Sequence, residues 1–227
     1  MVLVGTTMQG PISRFASLAP QPDDYRVRLM DGIASALAEK GYADTTIADI
    51  VRHAHVSKRT FYEHFEDKEA CFLATYNALS DELLARITLA VSVPFAGDPE
   101  VVAVTAIHAA VNAYFAALQE HAAIIAAFFT DVQSAGNRAL ALRREIHHRF
   151  ANAMRLLVEA HLPVHPGRRG LSAEMAMAMV GAVNELVLMA IENKREAHVI
   201  ELAPTAIELF LAVLSWDPAS LPPPQPS

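Results

Sequence analysis

The residues best equipped for chemistry lie between positions 45 and 68. Ser57-Lys58-Arg59-Thr60 puts two cations and two hydroxyls into four consecutive positions. Ser57 is a natural helix N-cap, because its hydroxyl can accept from a backbone N–H two or three residues on. On a helix opening there, these side chains crowd into the first turn. In a helix-turn-helix that turn is the part of the second helix that enters the DNA major groove. Lys58 and Arg59 can donate to guanine O6 and N7, and Thr60 can bond a base or touch a thymine methyl. Each good bidentate pair discriminates between bases by about 1–3 kcal/mol. Thr46, Tyr62, His64 and Lys68 supply donors suited to phosphate oxygens, which fix register without reading sequence.

Such a turn needs helices to hold it, and the pattern provides them. Val27, Met30, Ile33, Ala34, Leu37 and Ala38 repeat at helical spacing and predict a helix over 24–40, with Gly41 as its stop. A second helix opens at Thr45 or Thr46, with Asp49 three residues later near the positive helix end, and runs to about 53. A tight turn at Ala54-His55-Val56 leads to the third, over 57–64. Two short helices joined by a tight turn and backed by a longer one match the helix-turn-helix arrangement. Longer periodic segments follow at 67–91, 100–120, 122–133, 138–162, 172–193 and 204–216. No strand-like alternation recurs and glycine is scarce, at 9 of 227 residues, so the fold class is all-α with about nine helices.

From Gly41 to Ala70 the chain reads GYADTTIADIVRHAHVSKRTFYEHFEDKEA. This resembles the N-terminal domain of the TetR family of bacterial repressors. The matching features are Thr45-Thr46 opening the second helix, Ile50 in its core, Val56-Ser57 after the turn, and Thr60-Phe61-Tyr62-Glu63-His64-Phe65 followed by Lys68-Glu69. The resemblance implies a DNA-binding domain at 24–70 and a ligand-binding and dimerisation domain at 71–216. A flexible arm at 1–23 and a Pro-rich tail at 217–227 complete the reading. The resemblance also implies that Thr46, Tyr62, His64 and Lys68 meet phosphates and that Lys58, Arg59 and Thr60 read bases, while Phe61 and Phe65 lock the third helix onto the first two. The family usually has glycine in the turn where this chain has His55. Histidine is among the residues enriched at positive φ, so the turn is expected to survive. Glu63 is an acid beside the proposed DNA face and weakens non-specific attraction.

The eighth and ninth predicted helices are apolar on nearly every face, through Met175, Met179, Val183, Val187 and Ile191 in one and Ile207, Phe210, Leu211 and Leu214 in the other. Their outer faces predict a homodimer by a four-helix bundle across a two-fold axis. Two recognition helices one DNA turn apart then call for a near-palindromic operator in double-stranded DNA. Polar groups on apolar helices narrow the search for a small lipophilic effector. His108 and Asn112 lie one turn apart at 100–120 with Phe115 continuing the face, His147, Phe150 and Met154 do the same at 138–162, and Phe128 and Phe129 come from 122–133. Each also has a plain reading as core, with the histidines and Asn112 bonded to carbonyls or water. Asn184 and Glu185 fit the dimer seam better.

A helical ligand-binding protein or a metal-dependent enzyme without DNA binding is the main alternative. Glu145-x-x-His148 has the spacing of a di-metal helix, but that chemistry needs the motif twice. The chain has no second copy, no glycine-rich phosphate loop and no nucleophile motif. The expectation is therefore a non-enzyme with no cofactor and no metal. A single cysteine, Cys71, excludes an intramolecular disulfide and fits a reducing cytoplasm. No secretory signal is expected, and no membrane span: the nearest apolar run, 173–191, is interrupted by Glu174, Asn184 and Glu185. The net charge of −7 speaks against non-specific wrapping of nucleic acid. Across 52–68 the cations Arg52, Lys58, Arg59 and Lys68 exceed the acids Glu63, Glu66 and Asp67 by only one charge. Binding is therefore predicted to be weak on random DNA and to depend on two helices engaging one site together. Titrating the protein against a symmetric site and against one with a scrambled half-site checks this, and equal affinity for both would contradict it.

Overall fold

The computed structural model describes residues 25–92, 98–132, 134–161 and 170–215. The expected arm and Pro-rich tail and the segments 93–97 and 162–169 lie outside them. Among the described residues there are nine α-helices and no strand: α1 (Tyr25–Asp44), α2 (Ile47–Ala54), α3 (Lys58–His64), α4 (Lys68–Val91), α5 (Pro99–Glu120), α6 (Ala122–Asp131), α7 (Asn137–His161), α8 (Ala173–Glu192) and α9 (Ala203–Ser215). A 3-10 segment, Glu196–Leu202, precedes α9 and was not predicted. The chain forms two compact units.

The first unit contains α1–α3, α4 as far as Glu82, and the stretch His121–Arg144 with α6 and the start of α7. Local chemistry sets its helix boundaries. Thr46 is the N-cap of α2 in a full capping box: its hydroxyl accepts from the Asp49 N–H, and the Asp49 carboxylate accepts from the Thr46 N–H at 2.9 Å. His55 ends α2 in the left-handed region at φ 53°, ψ 45°, the conformation expected of it. Ser57 caps α3 by accepting from the Thr60 N–H at 3.0 Å. Gly41, at φ 72° and ψ 175°, interrupts helical geometry inside α1 where a stop was expected.

Phe61, Leu29, Ile33 and Ile50 are fully buried, and they hold α3 and α2 against α1. The α1–α2 approach is close enough to demand glycine. A Cβ on Gly32 would stand 2.6 Å from the Ile50 carbonyl oxygen and 3.0 Å from the Ala54 Cβ. On the other side of α1, Phe72 meets Tyr42 at 4.8 Å between ring centroids and Phe128 at 5.1 Å, while Phe128 stacks on Tyr76 at 4.7 Å. Burial raises the Tyr76 hydroxyl to a pKa of about 12.

The second unit contains α4 from Leu83, α5, α7 from Glu145, α8, the 3-10 segment and α9. Ser172 caps α8 through the Met175 N–H, as its position predicted. A core of Ala151, Leu171, Ala176, Met179 and Val180 is packed by Phe150, Met154, Phe210, Val213 and Leu214. Helix α5 buries Val111, Phe115 and Leu118, whereas Val101 and Val104 near its start are 59% and 40% exposed. By length and composition alone, Glu100–Glu120, Ala173–Glu192 and Glu196–Leu214 could each cross a bilayer. Two further helices thus join 173–191, the run singled out in the sequence, in meeting that criterion.

The α1–α2 approach gives a direct test. Gly32→Ala is expected to destabilise the first unit by about 1–3 kcal/mol or more through overpacking against backbone, read as a lower thermal midpoint. An unchanged midpoint would mean the two helices are not this close.

Candidate nucleic-acid interface

Helices α1, α2 and α3 are tied at their ends by three cations acting on backbone. Helix C-termini leave carbonyls without intrahelical partners, and here each of the first three helix ends meets a cationic side chain. Lys68 Nζ, at the start of α4, donates to the Tyr42 carbonyl at 2.7 Å and the Thr45 carbonyl at 2.8 Å, and lies 4.1 Å from the Tyr42 ring centroid. Arg28 Nη2 donates to the carbonyls of Ala54 at 2.8 Å and His55 at 3.0 Å, closing the left-handed turn. Arg26 Nη1 donates to the His64 carbonyl at 3.2 Å, with its guanidinium 4.5 Å from the Phe65 ring. Hydrogen bonds to charged groups of this kind contribute about 1.5–3 kcal/mol each. Sequence reasoning missed the two arginines, and nothing local in the sequence marks a side chain that reaches 26 to 38 residues along the chain.

A fourth contact completes the corner. Asp131 at the end of α6 accepts from the Tyr42 N–H at 2.7 Å. Tyr42 thus has its amide held by one helix and its carbonyl by another.

The predicted DNA residues separate into two groups. Lys58, Arg59 and Tyr62 project outward from α3, with Tyr62 59% exposed and the Arg59 side chain 89% exposed. Lys58 makes no ion pair among the described residues, whereas Arg59 Nε donates to Glu63 Oε1 at 3.0 Å. The others are engaged locally. Thr46 donates its hydroxyl proton to Asp49 at 2.6 Å, and Ser57 and Thr60 share a hydroxyl hydrogen bond at 2.9 Å. The His64 ring lies half-buried, 6.3 Å from Tyr25. Lys68 points its ammonium at carbonyls, and burial lowers its pKa. Arg52 is 3.5 Å from both Asp49 and Glu39, which leaves the local cationic margin thinner than a count of charges suggests.

The residues proposed for a ligand divide between the two units. Phe128 is buried in the first unit and Phe129 half-buried there, while the other six belong to the second. Phe115 is fully buried, but His108 and Asn112 are exposed, and Asn112 Nδ2 donates to the carbonyl of His108 on its own helix. His108 lies seven residues before Phe115, nearly two full turns, so the two share a stripe of α5 that is exposed at His108 and buried at Phe115. His147 Nε2 is 3.2 Å from Asn184 Nδ2, a contact within the second unit for a residue assigned to the dimer seam. Phe150 also meets Tyr114, edge to face, at 5.9 Å. Glu145 and His148, the lone di-metal spacing, are both exposed.

Two short helices around a left-handed turn, with a cationic outer face on the second, define a helix-turn-helix of the DNA-binding class. Residues 29–75 match the family of bacterial regulatory proteins known as the tetR family, and the N-terminal domain of this chain belongs to it. Members of that family are DNA-binding transcriptional regulators. Similar solved structures extend the likeness of fold over most of the chain. FadR from Bacillus halodurans, a fatty acid degradation regulator, is 17% identical over 86% of this chain and 98% of its own, with a TM-score of 0.68. The transcriptional regulator FadR from Bacillus subtilis, solved with stearoyl-CoA, is 16% identical over 82% and 97%, with a TM-score of 0.67. Salmonella enterica GusR is 16% identical over 87% and 99%, with a TM-score of 0.62. No curated protein sequence matches the chain significantly.

The α2 cap makes a prediction about pH. Asp49 accepts from Lys40 at 2.8 Å as well as from Thr46, and these bonds, Lys40's foremost, hold its pKa well below the carboxylate range. A depressed folded-state pKa means the contribution is complete above the ordinary value of about 3.9 and is lost only as pH falls through the lower one. Carboxyl carbon NMR should find Asp49 still ionised at the pH where free aspartates are half protonated. A midpoint at or above about 3.9 would show that the box is not formed.

Proposed function

We propose that the chain is a sequence-specific DNA-binding regulator, acting as a homodimeric repressor released from a near-palindromic operator by a lipophilic effector. The observation that carries the DNA half is the outward set Lys58, Arg59 and Tyr62 on a helix capped at its start by Ser57 and bonded at the His64 carbonyl by Arg26. Such a helix presents charge without having to reorganise. Lys58 and Arg59 read bases, joined by Thr60, and Tyr62 donates its hydroxyl to a phosphate, with Ser57, Thr46 and His64 at the edges of the contact.

The homodimer uses α8 and α9, supported by apolar side chains left at the surface of α8, where Met175 is 40% and Met189 50% exposed. The effector belongs to the second unit, near Phe115, His147, Phe150 and Met154, and the cytoplasm is the compartment in which such a regulator meets DNA. Helix α4 runs without a break from the first unit into the second and is a natural carrier of the signal. A coupling of about 1–3 kcal/mol would change operator affinity about 5–150-fold. One of the similar solved structures is a fatty acid degradation regulator and another is a transcriptional regulator in complex with stearoyl-CoA, which makes long-chain acyl compounds the first effectors to try.

The experiment is a mobility shift of the gene's own upstream DNA. The wild type is expected to shift it, Lys58→Ala with Arg59→Ala to lose at least tenfold in affinity, and a long-chain acyl-CoA to release the complex. An unshifted upstream fragment, or a double variant that binds as well as wild type, would overturn the DNA reading. Acyl-CoA that binds the protein and leaves the shift unchanged would remove its allosteric half.

A further inference from the structure

Lys68 sits among the residues whose type suits phosphate, yet its geometry faces the other way. Both of its described hydrogen bonds are to backbone, the Tyr42 and Thr45 carbonyls at 2.7 and 2.8 Å, with the Asp44 charge also felt nearby. Its ammonium also lies over the Tyr42 ring, which fills a third side at 4.1 Å. An ammonium has three protons, so two are committed to carbonyls, and the side chain is only partly accessible. The two carbonyls belong to the corner between α1 and α2. Thr45 is itself buried, with its hydroxyl donating to the Gly41 carbonyl at 2.7 Å, and the next residue is the Thr46 cap. The tie therefore fixes the direction in which α2 leaves the corner, and α2 determines where α3 points.

We propose that Lys68 is a positioning residue of the DNA interface rather than a phosphate ligand: it sets the α1–α2 corner, and through it the attitude of the reading helix, by binding the Tyr42 and Thr45 carbonyls. This rests on the DNA-binding reading above. A phosphate ligand and a positioning cation differ in what they do to salt dependence. Each phosphate neutralised by a side chain adds about 0.9 to the slope of log affinity against log salt concentration. A cation that never reaches the backbone adds nothing to it, although its loss still weakens specific binding.

The test uses the full chain and a duplex selected by the wild type from a random-sequence pool. Failure to enrich any sequence would overturn the DNA-binding reading itself, and the proposal with it. With a duplex in hand, Lys68→Met and the milder Lys68→Gln are titrated across salt well below their melting temperatures, beside Lys58→Met. Lys68→Met is expected to lose at least tenfold in affinity with an unchanged salt slope and faster amide exchange at 42–47. Lys58→Met is expected to lower the slope by about 0.9. A slope lowered by that amount in the Lys68 variants, with amide protection retained, would make Lys68 a phosphate ligand and overturn the proposal. Lost thermal stability with undiminished operator affinity would make it merely structural and overturn it equally. A measurement on the wild type covers variants that do not fold. Acylation by an amine-reactive ester should be slow at Lys68 with or without the duplex, and fast at Lys58 until the duplex protects it. Fast reaction at Lys68 that the duplex suppresses contradicts the proposal.

Discussion

A helix cannot satisfy its own last carbonyls, and the first unit is organised around that constraint. Helices of seven and eight residues are marginal by themselves. Their ends carry backbone groups that must find partners whenever water is excluded. Arg26, Arg28 and Lys68 meet this need from outside the helices they stabilise, and each bond crosses to a different element. A cation is suited to the task because the carbonyl end of a helix carries partial negative charge. The same bonds that complete the helices therefore also fix the angles between them, which is what a groove-reading surface requires.

This arrangement divides the basic residues by role. Those with their charge turned inward hold the frame, and those turned outward, on α3, are left for a ligand of opposite sign. The division explains how an acidic chain of net charge −7 can present a cationic surface without much charge to spare. It also places Tyr42 at the centre of the unit. Its amide is bound by Asp131 of α6, its carbonyl by Lys68 of α4, and its ring by Phe72. A displacement of α6 or α4 cannot leave that corner unaffected.

How much of this was legible in the sequence follows the range of the interactions. The Thr46 and Ser57 caps, the left-handed His55 and the interruption at Gly41 all depend on neighbours within a few residues, and each was readable from residue type and spacing. What depended on distant partners was not. Gly32 reads as an ordinary helical glycine until the Ile50 carbonyl is placed 2.6 Å from its missing Cβ. Lys68 reads as a surface cation until Tyr42 and Thr45 are brought beneath it. The second unit was least legible, because uniformly apolar helices carry no periodic signal to say which face is inside. His108 and Asn112 group with Phe115 by spacing, and nothing in that spacing tells that the stripe is exposed at its start and buried at Phe115. The 3-10 segment at Glu196–Leu202 shows no apolar repeat long enough to announce it.

The central claim is that α3, held rigid from behind, enters the major groove twice in a symmetric complex. Hydroxyl-radical footprinting of the bound operator tests it most directly. The account predicts two protected patches related by a two-fold axis, their centres about 34–36 Å apart along the duplex or a whole multiple of that. A single patch, or uniform protection that does not follow the sequence, would contradict it.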